Sequence, residues 1–227
     1  MENFDIRTKA LLGNDFDKIK DKTIAVIGLG GVGSIIPLTL VMTGVKKIII
    51  IDKDKVDESN LNRQIGYNLN DVGKYKASAL KEKLELLRKD VQVIDIPKNI
   101  DDKFDFELLK QCDFIADCID DIQAKILLAK FATTNNIDFI SSLGMGNRID
   151  PSKVFITTLN KTTSCPLAKK YRYLLKKENV DISSIHVAFS EELPIIKDKV
   201  VSSIAFVPNA AGLNIASYII KTLIGWW

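Results

Sequence analysis

Short unbroken apolar runs alternate, through the first 150 residues, with longer segments in which apolar positions recur every three or four. Thr23–Ile27 and Ile48–Ile51 are runs of the first kind, the pattern of strands covered on both faces. Val91–Ile96, Cys112–Cys118 and Ile137–Ser142 make three more strands. Between them the spacing predicts helices over residues 8–20 (Leu11, Leu12, Phe16 and Ile19 on one side), from Gly33 to Thr43, over 73–89 (Leu80, Leu84 and Leu87 inward), at 105–110 and over 121–135. Strands alternating with helices predict an α/β fold: a Rossmann-like, doubly wound, mainly parallel sheet. After Pro151 the rhythm changes. Val154–Leu159, Ile185–Phe189 and Ser203–Phe206 read as strands around a basic helix at 166–178, with a closing helix at about 209–223. The expectation is a single domain, 1–227, with a first half to residue 150 and a second half at 151–227 that extends the sheet in mixed fashion.

The chain has 227 residues, 46% hydrophobic and 27% charged, which excludes wholesale disorder and suffices for a sizeable core. Cys112, Cys118 and Cys165 are too few for a disulfide framework, and without a CxxC pair a zinc knuckle of the usual spacing is excluded. His186 is the only histidine, so any two-histidine mechanism is excluded. Set mid-strand, it reads as structural, and Cys112 and Cys118 read as core. Cys165, before Pro166 at a helix start, is either a small residue suited to that place or an acceptor thiol of lowered pKa.

The net charge is +3, unevenly spread: residues 1–121 carry −3 and residues 122–227 carry +6, so the second half suits an anionic partner. The N-terminus lacks the basic and apolar regions of a signal peptide, which predicts a cytoplasmic protein. Two uncharged stretches, Thr23–Val45 and Val200–Ile220, are long enough for a membrane helix. Glycines and Pro37 interrupt the first; Pro208, Asn209, Gly212 and Asn214 break the second. Both read better as buried strand and helix. The alternative for the second is peripheral membrane contact through Trp226-Trp227.

Gly28-Leu29-Gly30-Gly31-Val32-Gly33 is G-x-G-x-x-G directly after a strand and ahead of a helix, the context in which backbone N–H groups cradle a phosphate. Asp52 stands nineteen residues beyond Gly33, at the end of the second strand, where a carboxylate can accept from ribose hydroxyls. Gly28, Gly30, Gly31, Gly33 and Asp52 are therefore nucleotide-site candidates, and residues 1–150 the nucleotide-binding half. The glycines alone do not choose among NAD, FAD and ATP.

The next segment does. Asp52-Lys53-Asp54-Lys55-Val56-Asp57-Glu58-Ser59-Asn60-Leu61-Asn62-Arg63-Gln64 resembles the D-x-D-x-V-x-x-S-N-L-x-R-Q signature of the ThiF/MoeB superfamily, relatives of the ubiquitin-activating enzymes. The resemblance implies ATP with Mg²⁺ and adenylation of a carboxylate. It implies that Asp52 holds the ribose, that Asn60 and Arg63 contact the phosphates, and that Asp54 and Gln64 belong to the same site. Gly73-Lys74-Tyr75-Lys76 matches G-x-x-K, making Lys76 the phosphate lysine. Asp117-Cys118-Ile119-Asp120 matches D-A-x-D, making Asp120 the Mg²⁺ ligand. Asp120 and Asp121 can also be read as a helix cap and a first-turn acid. Arg7 falls where many relatives carry an arginine that reaches a partner subunit's site, which implies a homodimer.

Further segments resemble the TcdA branch, the tRNA threonylcarbamoyladenosine dehydratases. These are Gly144-Met145-Gly146 with Asp150-Pro151, Lys161-Thr162, Cys165-Pro166-Leu167-Ala168, Phe189-Ser190-Glu191-Glu192 and Ser203–Pro208, the last taken as a closing strand. That branch activates a carboxylate on tRNA and lets a nucleophile within the same base close a ring. On this reading Lys169, Lys170, Arg172, Lys176 and Lys177 track tRNA phosphates, with Tyr171 and Tyr173 available for stacking. The alternatives are an adenylating enzyme for a ubiquitin-like or sulfur-carrier protein using Cys165, a silent nucleotide-binding module, and an NAD-dependent oxidoreductase. A cysteine desulfurase or sulfur-carrier system is a further partner open to the family.

Overall fold

The structure, a computed structural model, describes residues 3–163, 165–196 and 201–226. Its strands are β1 (Thr23–Ile27), β2 (Lys47–Ile51), β3 (Gln92–Ile96), β4 (Phe114–Asp117), β5 (Asp138–Ser142), β6 (Val154–Thr158) and β7 (His186–Ser190). They form one sheet in the order β3-β2-β1-β4-β5-β7-β6. Every neighbouring pair is parallel except β6 and β7, which are antiparallel, so the sheet is mixed at its C-terminal edge. β7 pairs with β5, so the division at residue 150 does not divide the sheet.

The helices are α1 (Ile6–Leu12), α2 (Phe16–Lys20), α3 (Ile36–Thr43), α4 (Lys76–Leu87), α5 (Ile122–Thr134), α6 (Pro166–Lys177) and α7 (Phe206–Ile224). Successive strand residues point to opposite faces, and both faces of β1 are covered. Ile24 and Val26 pack with Leu40, Leu80, Ile215 and Ile219 of α3, α4 and α7. Ala25 and Ile27 share the opposite core with Leu128 and Tyr171 of α5 and α6. This two-sided burial is why the strand sequences are continuous apolar runs.

Four expectations need correction. Ser203–Phe206 is not a strand: the segment is irregular, and α7 begins at Phe206. Pro208 lies in the first turn of that helix, where its missing N–H is harmless. The expected helix over 8–20 is two short helices, broken at Gly13 with φ +56°. The helix at 105–110 is a 3-10 turn over Phe106–Gln111. Cys112 and Cys118 flank the four-residue β4 and do not lie in it. Burial still pushes the Cys112 thiol to about 12 and Cys118 further up, so both are poor nucleophiles.

α1 and α2 close the end of the molecule against Ile224 of α7. There Arg88 gives a bidentate pair to Asp5 at 2.6 and 2.8 Å and a third bond to Asp90 at 2.8 Å. Against burial, which alone would raise it, hydrogen bonds from Lys46 and Arg88 hold the Asp90 carboxyl at about 2. A carboxylate depressed below its unfolded value of about 3.9 contributes stability above that pH and loses it as pH falls toward 2. Urea midpoints of the wild type should therefore drop more steeply between pH 5 and pH 2 than those of Asp90→Asn. Parallel curves would remove Asp90 from the acid limb.

No helix among the described residues is long and apolar enough to cross a membrane. Trp226 donates from its indole to Asp15 at 2.7 Å. Trp227, the second tryptophan of the expected pair, lies outside the described residues.

Candidate functional site

Crevices in doubly wound sheets form at the C-terminal strand ends, where the connections leave in opposite directions. Here that point lies between β1 and β4. A cleft of about 680 Å³ opens there, lined by Gly28, Gly30, Gly31, Asp52, Asp54, Asn60, Arg63, Gln64, Lys76 and Asp120, among others. Of the residues expected at the site, Gly33 and Arg7 do not line it.

Gly33 serves by packing. A Cβ built on it would stand 1.8 Å from the Gly28 carbonyl oxygen, so only glycine lets the chain fold back on itself there. Gly28 has φ +86°, a left-handed conformation suited to glycine. The turn is fixed from below: Leu29 N–H donates to Asp52 Oδ2 at 2.6 Å and Tyr67 Oη donates to the Leu29 carbonyl at 3.1 Å. Asp52 Oδ1 accepts from Asp54 N–H at 2.8 Å. Each Asp52 oxygen keeps a second lone pair, the acceptor capacity a ribose diol needs. Burial pushes the Asp52 carboxyl up, and the nearby Lys76 charge opposes it.

Lys76 opens α4 and is 6% exposed. Its ammonium meets the Asp54 carboxylate at 3.2 Å, and its N–H donates to the Asp54 carbonyl at 2.9 Å, so one aspartate fixes both ends of the residue. The Asp57–Asn60 segment is a capping box in which Ser59 N–H donates to Asp57 and Asp57 N–H donates to Asn60 Oδ1. Arg63 follows, and its Nη1 donates to Ser59 O and Asn62 Oδ1. Asn209 of α7 donates to the Arg63 carbonyl at 2.9 Å, which ties the arginine loop to the start of the last helix. Gln64 is 3% exposed, and its Oε1 is buried without a hydrogen-bond partner. An orphaned buried acceptor in the cleft wall is what a ligand donor satisfies.

Asp120 is exposed on the rim beyond β4 and has no partner among the described residues. Asp121 is the cap instead, accepting from Ala124 N–H at 2.9 Å. Arg7 is exposed on α1, next to Asp5 and its partner Arg88. Arg88 lies beyond the C-terminus of α4, at the end of the sheet opposite the cleft, so Arg7 cannot serve its own chain's site.

Sequence reading missed three groups. Lys98, Asn99 and Ile100 join the cleft from the loop after β3; strand-end position was the available signal. Lys125 is fully buried against Asp117, Ser141 and the Ser142 carbonyl; a lysine at an apolar helix position was the hint. Arg148 donates to the carbonyls of Gly144, Gly146 and Glu192, and Glu192 in turn accepts from Ile149 and Asp150 N–H. The Gly144–Asp150 and Ser190–Glu192 segments thus brace one another at the cleft rim.

Lys169, Lys170, Lys176 and Lys177 are exposed on α6. Tyr171 is not available for stacking: it is fully buried, with its hydroxyl donating to the Lys125 carbonyl at 3.3 Å. Arg172 is held by Thr162. Tyr173 remains exposed, with Lys177 over its ring. Cys165 is 5% exposed and flanks Gly144 of the cleft rim. His186 stands apart in a groove of about 550 Å³ between β6 and α7, its ring 5.0 Å from Tyr218, and burial lowers its pKa.

Comparison with known proteins agrees with this fold. A tRNA threonylcarbamoyladenosine dehydratase of Bacillus subtilis is 32% identical over 242 residues, covering 96% of this chain and 93% of that protein. The crystal structure of the Escherichia coli tRNA N6-threonylcarbamoyladenosine dehydratase in complex with ATP superimposes with a TM-score of 0.92 at 26% identity, covering 98% of this chain and 94% of that one. The adenylyltransferase and sulfurtransferase Uba4 of Meyerozyma guilliermondii is 34% identical over 128 residues, 56% of this chain and 30% of that protein. The sequence pattern of the ThiF family matches residues 5–226. Because that match takes in every strand and helix that builds the cleft, the chain belongs to the ThiF family.

Proposed function

We propose that this chain is an ATP-dependent tRNA threonylcarbamoyladenosine dehydratase. The observation that carries the reading is coverage. Similarity to the Bacillus dehydratase runs nearly end to end, including the rim at 144–150 and helix α6, whereas similarity to Uba4 stops at about half the chain. That difference ranks the adenylation of a carrier protein second.

On this reading the threonylcarbamoyl carboxylate attacks the α-phosphorus of ATP, the α–β phosphoanhydride bond breaks, and pyrophosphate leaves as the acyl-adenylate forms. Gly28, Gly30 and Gly31 approach the phosphates through their backbone, and Asp52 accepts from the ribose. Asn60, Arg63 and Lys76 face the phosphate oxygens, where in-line displacement needs fixed positive charge more than a base. Among the described residues no cluster of three His, Cys, Asp or Glu could hold a metal by itself. The lone Asp120 carboxylate fits Mg²⁺, which is usually held by one or two carboxylates with phosphates and waters. A nucleophile in the modified base then attacks the activated carbonyl carbon. AMP leaves, the ring closes, and the substrate has lost one water. A cytoplasmic setting goes with the tRNA substrate. A homodimer belongs to the same proposal, with Arg7 serving the partner's cleft, and a sulfur-delivery partner is not required by it.

Two outcomes test the choice of acceptor. If the nucleophile belongs to the substrate, Cys165→Ser keeps most activity; a serine variant that accumulates acyl-adenylate without product would move the assignment to carrier transfer. Changing Lys169, Lys170, Lys176 and Lys177 to glutamate should weaken tRNA binding and flatten its salt dependence, because each lost phosphate contact releases fewer counterions. ATP affinity should stay within about twofold, since none of the four lines the cleft. Unchanged tRNA affinity would exclude α6 from the tRNA path.

A further inference from the structure

Beneath the cleft floor lies an ion pair that the chemistry above does not use. Lys125 of α5 and Asp117 at the end of β4 are both fully buried and meet at 2.9 Å. The Lys125 ammonium also donates to Ser141 Oγ at 3.0 Å and to the Ser142 carbonyl at 2.8 Å. Ser141 Oγ donates to Asp117 Oδ2 at 2.7 Å. The other carboxylate oxygen, Asp117 Oδ1, accepts from Ile119 N–H at 3.1 Å. One buried cation thus fastens two strand ends from which cleft-lining segments depart: the turn that carries Asp120 and the loop that carries Gly144 and Gly146.

A buried pair of this kind is weak evidence for stability, because desolvation of both charges offsets their attraction. Its placement is informative. The ammonium's three protons are all directed to named acceptors, and two of those acceptors are the last polar groups before a cleft-lining turn. A side chain fully withdrawn from water cannot touch substrate, so its influence passes through the backbone it holds.

We infer that the Lys125–Asp117 pair is a positioning device for the reaction, holding the Asp120 turn so that its carboxylate meets a divalent ion on the nucleotide phosphates. The inference rests on the Mg²⁺ role proposed for Asp120. The glycine turn is hydrogen-bonded to the end of β2, through Gly28 N–H to the Ile51 carbonyl and Leu29 N–H to Asp52, and only packs against Cys118, so nucleotide binding without metal depends on the pair less than metal binding does.

The test uses the full-length protein with Mn²⁺ as the probe ion and a non-hydrolysable ATP analogue. The single change Lys125→Met strands a buried carboxylate, so the informative variant is Asp117→Asn with Lys125→Met. It removes both charges together and keeps an oxygen for Ile119 N–H. Circular dichroism and a cooperative thermal transition establish that it folds; Ser141→Ala, which removes one bond to Asp117 and one from Lys125 but keeps the ion pair, serves as a milder second variant. The expected result for the double variant is Mn²⁺ binding to the analogue complex weakened about tenfold or more, with a clearly smaller change in analogue affinity in EDTA, a selective loss of the preorganised ligand; equal losses of both overturn it. Ser141→Ala should show a smaller loss of the same kind. Folded variants with wild-type Mn²⁺ affinity overturn the inference. Asp120→Ala is the control: if it leaves Mn²⁺ affinity at the wild-type value, the Mg²⁺ role fails and the positioning role with it. A wild type that binds Mn²⁺ with the analogue yet modifies no tRNA defeats the substrate assignment alone and leaves the positioning result standing.

Discussion

Lys76→Ala is expected to lower ATP–pyrophosphate exchange in the presence of tRNA by about 10²–10³-fold, the usual consequence of removing one preorganised charge from a transferring phosphoryl centre. The expected loss comes from position. Lys76 is almost wholly buried, yet its ammonium reaches the cleft wall, and its single carboxylate partner Asp54 is itself more than half exposed. Asp54 can therefore return to water when the lysine is gone, and what the fold loses is chiefly the packing of the buried lysine stem. Arg63→Ala should fall in the same range of rate, as loss of a second fixed charge, while Asn209 still holds the loop through the Arg63 carbonyl that the substitution keeps. The two losses should not add if both groups act on one transition state. Near-normal exchange in both folded variants would remove the phosphate role from this cleft.

Gly33→Ala is expected to abolish nucleotide binding and to destabilise the chain by about 3 kcal/mol or more, in the range of severe overpacking. The added methyl would fall 1.8 Å from the Gly28 carbonyl oxygen and 3.1 Å from Cys118 Cβ. The first neighbour is backbone and cannot rotate away, so the turn itself must open. Gly30→Ala is the comparison, since a Cβ there meets nothing nearer than Gln64 Nε2 at 4.0 Å. Thermal midpoints should rank wild type and Gly30→Ala well above Gly33→Ala; ATP affinity does not separate the two variants, since Gly30 itself lines the cleft. Equal stability of the two alanine variants would contradict the packing role.

The sheet was legible because burial on both faces leaves a local record. The Ile48–Ile51 run is short and wholly β-branched, which favours a covered strand, and the glycines after Ile27 mark where the chain must turn tightly. What failed to show in the sequence depends on contacts between distant segments. Ser203–Phe206 has the composition of a strand but no neighbour to pair with; Asn62 donates to the Ser203 carbonyl instead, and the segment leads into α7. Tyr171 sits among lysines in sequence, yet it is on the side of α6 that faces α5, so it belongs to the core. Lys125 stands at an apolar helix position, but its partners Asp117 and Ser141 come from β4 and β5 and are visible only in the fold. Half of the expected cleft residues, Asp52, Asp54, Asn60, Arg63 and Gln64, are legible because one contiguous segment, 52–64, carries them. Lys98 and Asn99 were missed because a single strand end gives no motif.

The most direct measurement is mass spectrometry of tRNA nucleosides after incubation of the purified protein with ATP, Mg²⁺ and tRNA bearing threonylcarbamoyladenosine. The expected result is conversion of that nucleoside to a cyclic form lighter by one water, with one AMP and one pyrophosphate released per product and no conversion by Lys76→Ala. An unchanged nucleoside, together with ATP–pyrophosphate exchange that depends on a small carrier protein, would contradict the account.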